Sequence, residues 1–138
     1  MTDHDRRLSI LRAILAFSVV STGVHYTHNF IKVEDYPGGF PGDTVVRIGV
    51  IVLWPLLTAV GLYGYRQYRE GRLHTAHICL ALYSLLGLTT LAHFTAGNPD
   101  IPPFFYATIF TDGLAGLAML AFVVASARSE RSPQPARA

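Results

Sequence analysis

Asp112 stands in the run TIFTDGLAGLAMLAFVVA, where almost every neighbour is apolar. Read as a membrane helix, that run places Asp112 about 9 residues in, or about 13 Å at 1.5 Å per residue, close to a bilayer midplane. An acid at that depth costs about 2.5–3.5 kcal/mol even on lenient insertion scales, so it needs a partner or a use. Three histidines could supply either. His25 and His28 sit at i, i+3 late in the first apolar run, and His93 closes the third.

These residue types suggest two chemistries. The first is a metal site. His25 and His28 share a helix face and His93 arrives from a neighbouring helix, and imidazole suits zinc, copper or iron. Asp112 or Glu34 could complete the set, although the greater depth of Asp112 suits it better to a place behind a ligand. A single haem between His93 and His25 or His28 is the less favoured variant. His74 and His77 share one helix, so no second haem site exists on the inner side. The second chemistry is acid–base. Asp112 and His25 would form a proton-handling pair acting on an apolar substrate, with Trp54, Thr22, Thr89, Tyr106 and Arg47 lining the ligand space.

Plainer roles compete with these. His28 suits an interface, and the aromatic residues near the helix ends suit a membrane belt. His74 and His77 lie beside the basic loop with only Glu70 as an acid at their depth. The threonines can bond back to their own helices. Asp112 could be a structural pin held by Trp54, Thr89 or Thr90.

The elements that must position these residues are plain in the composition. The chain has 138 residues, 51% hydrophobic and 14% charged, against about a quarter charged in soluble domains. The charge is concentrated between four apolar runs, at about 8–30, 45–65, 74–94 and 103–125, each near the roughly 20 residues that span a bilayer. Segments such as IGVIVLWPLL are apolar all round, unlike the striped helices of a soluble bundle. The reading is an all-α membrane protein, an up-down-up-down four-helix bundle.

Lys and Arg set its orientation. With the N-terminus inside, Arg6, Arg7, Arg12, Arg66, Arg69, Arg72, Arg128, Arg131 and Arg137 face the cytoplasm, and only Lys32 and Arg47 lie outside. Both termini are then cytoplasmic, in a bacterial-type inner membrane. The basic balance follows topology and does not suggest nucleic acid. Residues 1–127 form one domain and 128–138 a disordered cytoplasmic tail. The first span reads as a retained anchor, for no small-x-small cleavage site follows it. Cys79 is the lone cysteine, so no intramolecular disulfide forms.

Gly61, Gly64, Gly87, Gly113 and Gly116 would let helices approach closely. Pro55 should kink the second span near mid-membrane and, needing cover for the freed backbone carbonyls, face the interior. The outer loop KVEDYPGGFPGD suits an ordered lid, and Gly71 is the pivot of the inner turn. Ser18, Ser21 or Thr22, His25 and His28 or Asn29 fall along one helical stripe, which must turn inward. With Thr108, Asp112 and His93, it gathers the polar residues in the outer half. The expectation is an outward-facing His/Asp pocket, floored near Asp112, that binds a small ligand or a transition-metal ion. The alternatives are a membrane enzyme using the Asp112–His25 pair, or an accessory subunit of a larger membrane complex. A homo-oligomer is compatible with any of the three.

Overall fold

The computed structural model describes residues 2–36, 42–95 and 97–131. Helix α1 (Asp3–Ile31) opens on a capping box. Thr2 Oγ1 accepts the Asp5 backbone N–H at 3.1 Å, and the Asp5 carboxylate accepts the Thr2 N–H at 2.9 Å. Two orphan donors at the helix start are thereby satisfied. A 3-10 turn, Val33–Asp35, follows. Helix α2 (Asp43–Arg69) and helix α3 (Leu73–Leu88) meet at a tight turn where Gly71 takes φ 75, a left-handed conformation that glycine adopts without strain. Past Leu88 the chain tightens to 3-10 geometry over Thr89–Thr95. Helix α4 (Pro103–Arg131) starts on a proline, which loses no needed donor at that position.

All four helical segments are long and apolar enough to cross a membrane, counting α3 with its 3-10 extension as one. Each helix packs on its neighbours in sequence, and α4 closes the ring against α1. Glycines permit the closest approaches. A Cβ at Gly87 would collide with the backbone carbonyl of Asp112, and one at Gly116 would lie 2.7 Å from the carbonyl of Ser84. Helices α3 and α4 therefore cross backbone to backbone at the level of Asp112. On the other flank, Gly61 of α2 lies flat against the Tyr83 ring of α3.

Polarity is inverted relative to a soluble protein. Phe17, Val20, Ile51, Leu56, Phe104 and Leu114 are exposed, while Ser18, Thr22, His25, Asn29, Thr108 and Asp112 are buried. The half of the bundle at the α2–α3 turn, the inner half of the expected topology, has the apolar core: Leu11, Leu15, Ala76, Leu80, Met119, Phe122 and Val123. It includes one buried polar pair, Tyr68 and Ser126, with their hydroxyls 3.1 Å apart.

Three expectations are corrected. Pro55 is exposed rather than interior. The buried residues of α2 all lie in its inner half, at Gly61, Gly64, Gln67 and Tyr68, so the outer half of α2 is peripheral and its apolar proline ring lies on the outside of the bundle. Residues 128–131, expected in the tail, belong to α4, which stays helical to Arg131; residues 132–138 lie outside the described residues. Glu70 is not the acid near His77, for Glu130 of α4 reaches within 3.6 Å of its Nε2. Residues 37–41 of the first outer loop also lie outside the described residues.

Candidate functional site

The polar stripe of α1 turns inward as a unit: Ser18, Ser21, Thr22, His25 and Asn29 are all buried. Their spacing keeps them on one side of the helix, the side turned into the bundle. Asp112 meets this stripe from α4. Ser21 Oγ donates to Asp112 Oδ1 at 2.5 Å, and Asp112 Oδ2 lies 3.5 Å from His25 Nδ1. Thr108, one turn up α4, brings its hydroxyl to 3.3 Å from the same His25 nitrogen. The other nitrogen of His25, Nε2, faces His93 Nε2 at 3.3 Å. Asn29 Nδ2 stands 3.2 Å from His93 Nε2. Four polar groups thus run in sequence from the depth of Asp112 toward the outer end.

Tyr36 closes that end. It follows the 3-10 turn Val33–Asp35, is buried, and lays its ring 4.8 Å from the His93 ring and 6.0 Å from that of His25. Burial first, and then Asp35, pushes its phenol up to about 12. A backbone hydrogen bond of 3.0 Å from Asp100 N–H to Asp35 carbonyl ties the two outer loops together over the site.

Several buried atoms here lack a hydrogen bond: Asp112 Oδ2, Asn29 Oδ1 and, just below, Tyr83 OH. The Asp112–His25 separation of 3.5 Å is an ion-pair distance, too long for a hydrogen bond. The Asn29 amide suits either state of His93. Its NH2 donates to a neutral nitrogen; turned over, its oxygen accepts from a protonated one. The order Ser21–Asp112–His25 does not make a nucleophilic triad, since the hydroxyl bonds the carboxylate and not the imidazole.

Of the residues expected at the site, Asp112, His25 and His93 come together. Thr22 and Trp54 join its wall: the Trp54 indole N–H donates to Thr22 Oγ1 at 3.1 Å. His28 does not join. Three residues along a helix turn it about 60° away from His25, and it stacks on Phe105 with Nδ1 3.0 Å from the Tyr36 hydroxyl. The three-histidine cluster is therefore not assembled, and among the described residues no group of three or more His, Cys, Asp or Glu could hold one ion. A haem does not fit either, because the facing imidazoles are 3.3 Å apart and Tyr36 and Asn29 close around them.

Thr89, Tyr106 and Arg47 stand elsewhere. Thr89 is exposed and its hydroxyl bonds back to the Leu86 carbonyl at 3.2 Å. Tyr106 packs with Phe94 and Phe110 on the outside of the bundle. Arg47 is at the rim, bonded to the Phe30 carbonyl and to Glu34 at 3.1 Å. Sequence reasoning missed Tyr36, whose loop position carries no periodic signal, and did not pair Ser21 with Asp112.

No family model matches the chain, and no curated protein and no solved structure matches it.

Proposed function

We propose that the chain is a multi-pass membrane protein of the bacterial inner-membrane type, with its arginine-rich end in the cytoplasm, whose outer half handles protons through Asp112 and His25. The observation that carries the reading is the run of polar groups Ser21, Asp112, His25, His93 and Asn29, each within 3.5 Å of the next, in an otherwise apolar setting. An imidazole can take a proton on one nitrogen and release one from the other. A proton arriving from His93 at His25 Nε2 would release the Nδ1 proton to Asp112 Oδ2, leaving His25 neutral and the acid protonated. Inward of Asp112, past Tyr83, the buried residues are mostly apolar, with Leu15, Leu80 and Met119 among them. The run therefore ends at the acid, which suits a site that binds or transforms a ligand better than a path across the membrane.

The ligand class is apolar and membrane-dissolved. A groove of about 260 Å³ lies between α1 and α2, lined by Tyr26, Thr27, Phe30, Val50, Ile51, Trp54 and Pro55. Trp54 in its lining donates its indole N–H to Thr22 of the polar stripe. Proton-binding curves test the reading. The difference curve between wild type and Asp112→Asn should change when measured in a His93→Gln background. An identical difference in both backgrounds would mean that the groups are not linked.

One observation favours a metal ion instead. Two nitrogens 3.3 Å apart match the spacing of two ligands on one tetrahedral ion with bonds of about 2.0–2.1 Å. Asp112 behind His25 would then be the carboxylate that orients a ligating histidine, and Asn29 Oδ1 a third donor. Elemental analysis and an absorption spectrum of protein in mild detergent separate the two. One zinc, copper or iron per chain, lost in His93→Gln, favours the metal; metal-free protein with the linked proton curves favours the relay. An accessory subunit would keep its function in both variants.

A further inference from the structure

Two grooves flank the inner half of α1, and both have the same construction. One, of about 360 Å³, runs between α1 and α4. Its walls are Ile10, Ile14 and Phe122, its floor is Ala118, Ala121 and Ala125, and Arg6 and Arg7 stand at its mouth. The other, of about 350 Å³, runs between α1 and α2, lined by Leu15, Ala16, Val19, Val20, Leu62 and Tyr65 with Arg12 at the same end. Each is an apolar trough with arginine among its lining, Arg6 and Arg7 in the first and Arg12 in the second.

We propose that these troughs bind anionic phospholipids of the leaflet at the arginine-rich end, with an acyl chain along the apolar lining and the phosphate on the arginines. The charge at the mouths is not spent inside the protein. Arg7 has no acidic partner among the described residues, and Arg12 Nε bonds only the neutral Tyr65 hydroxyl, at 3.2 Å. Arg6 reaches Asp3 at 3.5 Å, but both side chains are well exposed. Asp5, the other acid nearby, is engaged by Thr2 in the capping box. A guanidinium fork matches two phosphate oxygens, so Arg suits this task better than a point charge. A zwitterionic lipid offers the same phosphate but adds a cation that these arginines repel. The alanines matter for shape: larger residues at 118, 121 and 125 would fill the trough.

The test is lipid binding to the full-length protein in mild detergent, read by native mass spectrometry and by thermal shift. Phosphatidylglycerol should bind and raise the melting temperature, and phosphatidylcholine should do so far less. Arg6→Gln with Arg7→Gln should weaken phosphatidylglycerol about fivefold per charge removed. Ala121→Phe should abolish binding in the first trough while leaving the charges in place, and the unliganded melting temperature of each variant shows whether it folds. Glycerol phosphate, which has the headgroup and no chain, should give no shift. Equal binding of both lipids, unchanged affinity in the arginine variants, or a shift from glycerol phosphate alone would overturn the proposal.

Discussion

The two halves of this bundle are built on opposite plans from the same four helices. The inner half closes on Leu11, Leu15, Leu80 and Met119, all buried and apolar. The outer half encloses Ser21, Thr22, His25, Asn29, Thr108 and Asp112 at equal burial. In the membrane setting proposed above, apolar burial would drive little association, because acyl chains are as apolar as leucine. The inner half must therefore hold by close packing, which the glycine contacts of α2, α3 and α4 supply. The outer half holds by hydrogen bonds and leaves some of its polar atoms unpaired. That difference separates stability from chemistry: the inner half can keep the fold while the outer half works.

The crossing shared by both halves should give the largest effect. Gly87→Leu would drive a side chain into the Asp112 backbone carbonyl and force α3 from α4. We expect a loss of about 3 kcal/mol or more, seen as a collapse of the melting temperature, with function lost too. A variant that melts normally would mean that the helices do not cross so closely. Leu80→Ala, in the dry half, should cost about 2 kcal/mol through the cavity it leaves. Its activity or ligand binding per folded molecule should not change. If function fell with the fold intact, the halves would be coupled and the comparison would fail.

Asp112 gives the converse case. Asp112→Leu removes the acceptor of Ser21 and the neighbour of His25, at about 1–3 kcal/mol. Asp112→Asn keeps the shape and one acceptor, so its melting temperature should stay near that of wild type while pH-dependent function disappears. The reverse order, a stable Leu variant or an active Asn variant, would make the acid a structural pin.

The smallest effect concerns the lid. Tyr36 is pushed from 10.0 up to about 12, chiefly by burial. A raised value means that the folded state keeps the phenol neutral. The contribution is fully present below pH 10 and is lost as pH rises from there through about 12. Wild type should lose more stability across that window than Tyr36→Phe. Equal losses would mean that Tyr36 is not enclosed.

The spans and the inward stripe were legible because lipid punishes a polar residue on the wrong face, so burial followed from residue type alone. His25 and His93 could be paired for the same reason. Three features were not legible. His28 follows His25 by three residues, and only the positions of α4 and Tyr36 decide that its residual turn takes it to Phe105. Pro55 has an apolar ring and freed backbone carbonyls, which argue for opposite faces; the peripheral place of α2 settles it. Tyr36 lies in a loop, where neither period nor hydropathy fixes direction. Thr89 and Tyr106 near the outer helix ends carry polar groups that a backbone carbonyl or the rim can satisfy, so polarity did not turn them inward.

The most direct test of the outer half is infrared titration of the buried carboxyl. A carbonyl band of a protonated acid should grow and vanish with pH in wild type, be absent in Asp112→Asn, and titrate at a shifted midpoint in His25→Gln and His93→Gln. That shift in the His93 variant is the central result, because His25 stands between the two, near both. A band with the same midpoint in all histidine variants, or one that persists in Asp112→Asn, would contradict a linked acid–base site in this half of the molecule.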